Sequence, residues 1–401
     1  MEENPKQTEE EPIVPDSLAE LDDDQKLSPL RLLTGFFLVP VIIVLIGIGC
    51  FLVYSAISQN EKSPADLLEV ISSSSGVNKP WQAAFELSRR LSEGPTEPAF
   101  VKKLVATFEK SKGGDPRIRC FLALAMANVK DEKVLENLRF ALSDESSEVR
   151  IHAIIALGLY GEKNAVADLI PFLDSEDGGE VKSAICSLGM LQSDEAADRL
   201  KEFLDDESDE VRWNAAVALA NLGEQGAAPV LMKMIDRNYL AEFKATTPVS
   251  IRSQETAFGW WGRTWPFGNP IPGFNDAQQE RVIQHGLSGL SKLKAAEAVP
   301  AIRKLLEDEN DNVRWYAALS LTQFSDSAGV EVLESRLDRR GLLRRGYGYD
   351  ASNELMKGAI QALQQLKPIS SRPILQKLNA EDPSEEIRVM AQKALMAYEE
   401  R

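Results

Sequence analysis

The sequence is poor in the residues that most often perform catalysis or bind metals. Its 401 residues include two histidines and three cysteines. His152 and His285 lie apart, each within a predicted helix, and neither belongs to a set of metal ligands. Cys50, Cys120 and Cys186 give no disulfide framework, so we expect buried free thiols. We therefore predict no metal site.

Signatures of enzymes are also absent from the sequence. It has no Walker loop, no Rossmann glycine fingerprint, no nucleophile elbow and no zinc-protease helix. Its acidic residues recur in turns, where helix capping and solubility explain them. The sequence predicts a protein that is not an enzyme and holds no cofactor. The net charge of −17 argues against nucleic acid as a partner, because that surface needs a continuous basic stripe.

What the sequence does contain is a phrase that recurs about every 31 residues. A Val-Arg pair is followed by apolar residues at helical spacing, as in Val211, Ala215 and Leu219. A second apolar stretch, residues 228–235 in this unit, follows a turn at Gly223, so each unit is predicted to be a helical hairpin. The pairs are Ile118-Arg119, Val149-Arg150, Val181-Lys182, Val211-Arg212, Val313-Arg314 and Ile387-Arg388, with degenerate copies at Val282-Ile283 and Leu355-Met356.

An aspartate recurs before the pairs in the same register. Asp in the loop before a helix can accept backbone N–H groups as a cap. We expect these residues to mark the joints between units and to pair with the arginines of the phrase; independently solvated charges are the alternative. The ladder consists of Asp144, Asp174, Asp205, Asp236, Asp308 and Asp338.

The units resemble HEAT-like repeats in the short form first named from phycobilisome lyases. The match is carried by residues 205–223, DDESDEVRWNAAVALANLG, and residues 144–161, DESSEVRIHAIIALGLYG. It extends from about Trp81 to the end of the sequence. The resemblance implies an all-α, right-handed superhelical solenoid, here of about eight helical hairpins. It covers protein-binding scaffolds, regulatory subunits and a few pigment-attaching lyases, and therefore leaves the function open.

An uncharged stretch, residues 32–60, precedes the array. A helix of this length would measure about 44 Å, more than the roughly 30 Å of a bilayer core. We predict one transmembrane helix over residues 32–58. A cleaved signal peptide is the rival interpretation, but the apolar stretch is too long and the residues before it are acidic.

The predicted helix divides the rest of the chain. Residues 1–31 are predicted to be an acidic disordered tail, residues 59–79 a linker, and residues 80–401 the solenoid. Lys26 and Arg31 lie before the apolar stretch and only Lys62 lies close after it, which favours a cytoplasmic N-terminus. We therefore expect a single-pass cell-membrane protein with an extracytoplasmic array; the inverted topology is the alternative.

The larger break in the period, near residues 238–278, contains a dense aromatic segment. Val211 and Val282 are too far apart for two units, and one hairpin there is expected to have lost its pattern. Insertions between stacked units often form the binding face of such arrays. The candidates for partner binding are Trp260, Trp261, Trp265, Phe267 and Phe274. Alternatively, these aromatics lie in lipid headgroups or plug the gap left by the missing hairpin.

The smaller break, near residues 338–352, is basic, with a net charge of +4 over residues 336–349. Arginine binds carboxylates and phosphates in fork geometry, so an acidic partner surface or a lipid headgroup is a candidate ligand. The alternative is that these arginines neutralise neighbouring acidic turns. The candidates are Arg339, Arg340, Arg344, Arg345, Tyr347 and Tyr349.

Three tryptophans occupy equivalent positions in different units. Trp213 and Trp315 follow the Val-Arg pair directly, and Trp81 aligns with them. We expect them to pack between neighbouring units; contact with a ligand is the alternative.

These features predict a membrane-anchored scaffold or adaptor that holds a protein partner, as a possible subunit of a membrane complex. Two other functions stay open at this point. One is a lyase-like enzyme acting on a bound chromophore, as in a branch of the resembling family. The other is a lipid-binding module at the membrane surface. The sequence leaves the oligomeric state undetermined.

Overall fold

The repeat phrase folds into helices at the predicted spacing. The computed structural model describes residues 44, 48, 62–73, 80–91, 97–242 and 276–399, and no strand occurs among them. In chain order the helices of the array are α1 (Pro64–Ser72), α2 (Pro80–Arg90), α3 (Pro98–Lys110), α4 (Pro116–Met126), α5 (Glu132–Ala141), α6 (Ser147–Tyr160), α7 (Val166–Leu169), α8 (Gly178–Leu191), α9 (Ala197–Glu202), α10 (Asp209–Asn221), α11 (Ala228–Met234), α12 (Arg237–Glu242), α13 (Asp276–Leu293), α14 (Val299–Lys304), α15 (Asp311–Gln323), α16 (Val330–Ser335), α17 (Arg339–Arg344), α18 (Tyr349–Leu366), α19 (Arg372–Glu381) and α20 (Glu385–Glu399).

The described helices alternate between the first and the second helix of a unit, and we call each such pair a hairpin. The hairpins are α2–α3, α4–α5, α6–α7, α8–α9, α10–α11, α13–α14, α15–α16 and α18–α19. The first helix of each hairpin packs on the first helix of the next, and α20 packs on α18 and α19. The short helices α12 and α17 stand outside this pattern, and each follows a hairpin at one of the two breaks in the period. The described part is therefore an all-helical, solenoid-like stack.

Helix α1 lies within residues 59–79, the segment predicted to be a linker, and packs on the stack. Leu67, Leu68 and Ile71 are buried, and α1 packs on α2. The chain divides into units at Ser63 and Pro64, so α1 falls on the side of the array. Its apolar residues recur at helical spacing and need a surface to cover them, whereas Asp66 and Glu69 face solvent. The helix thus gives the first hairpin a polar outer surface.

The predicted transmembrane helix, residues 32–58, lies outside the described residues except for Val44 and Ile48, which are helical and exposed. Within the part of the chain that the structure describes, every helix is either too short or too polar to cross a bilayer. The acidic tail, residues 1–31, also lies outside the described part.

Small residues let the first helices approach closely. A Cβ atom added to Gly189 of α8 would lie 2.6 Å from the Cα atom of Ala218 in α10. We expect Gly189→Ala to lower the free energy of unfolding by about 1–3 kcal/mol, because the two backbones would have to separate. Urea denaturation followed by circular dichroism measures the change. Gly226→Ala is the control, since no atom lies within 4 Å of its added Cβ; equal losses would contradict the packing argument.

No hairpin is missing at the larger break, which corrects the sequence-based expectation. Helix α10 packs directly against α13, and the Gln225 side chain donates a hydrogen bond to the Leu293 carbonyl at 3.0 Å. Cβ atoms added to Gly286 and Gly289 of α13 would lie 2.8 Å from side chains of the preceding hairpin. The stack is therefore continuous from α10 to α13, and residues 243–275 are an insertion between two adjacent hairpins.

Candidate partner-binding edge

The arginines of the repeat phrase bind the loop in front of their own helix. In each case Nη1 donates to the backbone carbonyl six residues earlier, whose oxygen would otherwise lack a partner. The pairs are Arg150 with Asp144, Arg212 with Asp206, Arg314 with Asp308 and Arg388 with Asp382. The sequence analysis expected the arginines to pair with aspartate side chains along the stack, and all four of these arginines make the contact to a backbone carbonyl.

Three arginines bind both carboxylate oxygens of an aspartate of the next unit. Arg119 binds both carboxylate oxygens of Asp144 at 2.8 and 3.0 Å. The pairs Arg237–Asp308 and Arg339–Asp382 have the same bidentate form. Each of these aspartates also accepts the backbone N–H two residues later. These carboxylates therefore fix the turn before a first helix and join it to the preceding hairpin.

The helices α12 and α17 are built alike. Arg237 and Arg339 are the first residues of the two helices, and each follows an aspartate. Leu240 and Leu342, three residues after the arginines, are both buried. Arg237 also donates to the Gln279 side chain at 3.0 Å, as Arg339 does to Asn353 at 2.7 Å. Both period breaks thus begin with the same feature, a short helix whose first residue is an arginine bound to an aspartate of the next unit. We call it the clamp helix.

The clamp sets the ionisation of its carboxylate. Burial acts to raise the pKa of Asp308, but the hydrogen bonds from Arg237 and from the Asn310 backbone outweigh it, so this pKa lies below its ordinary value. The pKa of Arg237 is raised by the hydrogen bond to Asp308, which outweighs burial. The pair stays ionised near neutral pH.

Arg339 is a structural residue rather than a contact for a partner, which corrects its assignment as a binding residue. Its side chain is 9% exposed and its Asp382 partner 3% exposed. Its guanidinium also lies 4.6 Å from the centre of the Tyr349 ring. Arg336, which the sequence analysis did not select, is fully buried and contacts Asp311 and Trp315. Two of the five arginines in the basic segment are therefore buried against acids of the stack.

The other three arginines of the segment are exposed. Arg340 has no ion pair among the described residues, and Arg344 lies 3.9 Å from the exposed Asp338. Arg345 is 3.3 Å from Asp311. Leu343, also missed by the sequence analysis, lies among them and is 44% exposed. Helix α17 thus presents a basic face with one apolar side chain, which we call the basic patch.

The two predicted tyrosines flank this patch. The Tyr347 hydroxyl donates to the Asn312 side chain at 3.3 Å and its ring is half-buried, so it joins the turn to α15. Tyr349 is exposed apart from its contact with Arg339. Of the two, Tyr349 offers more surface to a partner.

The predicted aromatic residues Trp260, Trp261, Trp265, Phe267 and Phe274 lie outside the described residues. The helices before and after this insertion contact each other. Arg237, just before the insertion, contacts Gln279, just after it. The insertion therefore connects two helices, α12 and α13, that are in contact with each other.

The equivalent tryptophans pack inside the stack, as expected. Trp213 is 1% exposed and Trp315 is 6% exposed. Trp81 is half-buried, with the Arg117 guanidinium 5.2 Å from the centre of its ring. Their role is to fill space between first helices.

The histidines and the described cysteines are largely enclosed. Burial raises the pKa of Cys186 to about 12 and also raises that of Cys120. The pKa of His152 is lowered by burial. Within the described part of the chain, no group of three or more His, Cys, Asp or Glu side chains is placed to hold a metal ion.

The second histidine makes the stability of the fold pH-dependent. Burial, with the positive charges of Arg281 and Lys292, lowers the pKa of His285 to about 4 from 6.5. Protons therefore bind the unfolded chain more readily, so stability is full above pH 6.5 and falls as the pH drops toward about 4. We expect His285→Gln to reduce this slope in urea denaturation repeated across that range. An unchanged slope would show that other groups cause it.

A second surface feature lies at the other end of the stack. A cavity of about 430 Å³ between α3 and α5 is lined by Phe108 and Phe140, with Arg119 and Asp144 at its polar side. Phe140 is exposed, and the Lys112 ammonium lies 4.3 Å from the centre of its ring. This site is distant in the repeat order from both period breaks.

Comparison with known proteins agrees with the helical repeat architecture. A family model for HEAT repeats matches residues 101–189, 182–246 and 273–346, together more than half of the chain. The chain therefore belongs to the HEAT-repeat family. Comparison with curated protein sequences gives no significant match.

Solved structures resemble the chain only distantly. The complex of CpcE and CpcF of phycocyanin lyase from Nostoc sp. PCC7120 is 22% identical, with a TM-score of 0.41, over 65% of this chain and 86% of that one. Human deoxyhypusine hydroxylase in complex with glycerol is 16% identical, with a TM-score of 0.26, over 80% and 97% of the two chains. Kap121p is 15% identical, with a TM-score of 0.33, over 86% and 42%.

Proposed function

We propose that this chain is a scaffold that holds a protein partner along one edge of its helical stack. The observation that carries the proposal is the repeated clamp helix. Because α12 and α17 occupy equivalent positions, we infer that the aromatic insertion, which follows α12, and the basic patch on α17 face the same edge of the stack. Two hairpins separate them, a distance of roughly 20 Å at the usual spacing of packed helices. The edge is wide enough for a protein surface.

The continuity of the stack supports a binding role for the aromatic insertion. A plug needs a gap, and helices α10 and α13 leave none between them. Tryptophan and phenylalanine are enriched among the residues that dominate protein interfaces. At this density they also require cover from water, which a partner would provide. Contact with lipid headgroups is the remaining alternative for this segment.

The proposal includes a membrane anchor and the right-handed superhelical form of the array. The anchor is residues 32–58, in a single-pass cell-membrane protein with an extracytoplasmic array. It is supported by the length of the uncharged stretch and by Lys26 and Arg31 on its N-terminal side. The right-handed form is the one that the family resemblance implies.

The proposal assigns no catalytic role, cofactor or metal to the chain. Absorbance of the protein purified from its native membranes tests this part. A chromophore band beyond the protein absorption would overturn it and favour a lyase-like enzyme.

Crosslinking in native membranes tests the scaffold function. The full chain, carrying a photo-crosslinker at Arg340 or at Trp261, is purified in mild detergent and its adducts are identified by mass spectrometry. We expect the same partner at both positions, because the proposal assigns both to one binding edge. A crosslinker at Lys102, an exposed residue of α3, is the control. Recovery of the chain alone, or the same adducts at Lys102, would contradict the proposal.

A further inference from the structure

The charge balance of the basic patch identifies the chemistry of what it binds. Three guanidinium groups surround the single carboxylate of Asp311. Arg314 lies 2.8 Å from one of its oxygens, and Arg336 and Arg345 lie 2.7 and 3.3 Å from the other. One negative charge cannot neutralise three positive ones. The cluster keeps an excess of positive charge beside the exposed Arg340 and Arg344.

Helix α17 and the Arg345 side chain are held in place before any partner arrives. Helix α17 is fixed by the buried Leu342 and by the Arg339–Asp382 pair. Arg345 donates to the Gly341 and Ser335 carbonyls at 3.3 and 3.4 Å. Donors in a fixed arrangement lose less conformational entropy when they bind, which favours a defined ligand.

The ligand must be negatively charged, although the net charge of the chain repels such molecules. The chain has a net charge of −17, which repels acidic molecules at long range. Binding of carboxylates is therefore favourable only where exposed arginines lie close together. The exposed Leu343 lies among the arginines and offers a contact for one apolar side chain of the ligand.

We propose that the basic patch binds a carboxylate-rich segment of the protein partner, with Arg340, Arg344 and Arg345 contacting its acidic side chains and Leu343 an apolar residue between them. This inference rests on the scaffold function proposed above. Clusters that bind anionic lipids usually contain about four to eight basic residues. The patch has three exposed arginines with Asp338 beside them, so an acidic peptide fits it better than a membrane surface.

Fluorescence anisotropy tests the inference. The full chain in nonionic detergent is titrated into a labelled Glu-Glu-Leu-Glu-Glu peptide, and the same peptide with Gln in place of Glu is the control ligand. We expect binding of the acidic peptide only, weakened by salt because the exposed charges are screened. Arg340→Ala with Arg344→Ala should weaken it about tenfold, since exposed ion pairs each contribute modestly to binding.

A matched variant keeps the charge change but moves it elsewhere. Lys102→Ala with Lys103→Ala removes two exposed positive charges from α3 and should leave peptide binding unchanged. No peptide binding by the wild-type chain, or equal losses in the two double variants, would overturn the inference. So would arginine-dependent binding of short-chain phosphatidylglycerol in place of the peptide. If the chain crosslinks to a partner but does not bind the peptide, the scaffold function stands and only this inference fails.

Discussion

Replacing Arg339 with Met should lower the free energy of unfolding by about 3–5 kcal/mol, because it leaves the charge of Asp382 buried without a partner. The Asp382 side chain is 3% exposed, and Arg339 binds both of its oxygens. The carboxylate must then either stay charged in a dry site or take up a proton. Urea denaturation of the full chain, followed by circular dichroism, measures the loss. Hydrogen exchange in α18, α19 and α20 should locate it there, since repeats contact mainly their neighbours.

Two further variants separate the buried pair from the general effect of removing an arginine. Arg340→Met changes the adjacent exposed residue and should alter stability by less than about 0.5 kcal/mol. Asp382→Asn, added to Arg339→Met, should restore most of the loss, because it removes the unpaired charge and keeps an acceptor for the Ser384 N–H. Equal losses in Arg339→Met and Arg340→Met would show that the clamp does not stabilise the fold.

The helical hairpins were predictable because their signal is local. The apolar residues that follow Val211 at helical spacing are the same ones that the fold buries, Ala215 and Leu219 among them. The phrase repeats in each unit, so one helix predicts the next. The interior position of Trp213 and Trp315 followed from the same register.

The fate of the arginines was not predictable from their type. Arg339 and Arg340 are adjacent and identical, yet one is buried and the other exposed. The difference depends on Asp382, which lies in the loop before α20. The amino-acid composition does not identify this residue as the partner of Arg339. A signal was nevertheless present: residues 236–240 and 338–342 share an Asp-Arg pair followed by a leucine three residues later. Comparing the two breaks with each other would have identified the clamp.

The missing hairpin was predicted from length and from the lost apolar pattern, and the prediction was wrong. Val211 and Val282 are 71 residues apart, more than two periods, so the intervening residues were interpreted as a hairpin that had lost its pattern. The packing of α10 on α13 shows that they are not one. Length does not distinguish a weak hairpin from an insertion, because surface insertions of many residues cost little in loop-closure entropy.

Serine in place of Trp260, Trp261 and Trp265 should abolish recovery of the partner and leave the melting temperature unchanged. Interface tryptophans often contribute 2 kcal/mol or more each, so losing three should weaken binding far more than tenfold. The fold should tolerate the change because α10 and α13 pack without the insertion. Affinity purification from native membranes measures recovery, and thermal denaturation measures stability.

Two comparisons decide whether the aromatic insertion binds a partner or supports the fold. Replacing residues 243–275 with a Gly/Ser linker of about eight residues should also abolish recovery of the partner without lowering stability. Such a linker spans roughly 16 Å, and Arg237 already contacts Gln279 across the insertion. Trp213→Ser should instead destabilise the chain by about 3–5 kcal/mol, because that ring is buried. If the insertion variants lose stability as Trp213→Ser does, the aromatics support the stack. If they keep both stability and partner, the interface lies elsewhere on the solenoid.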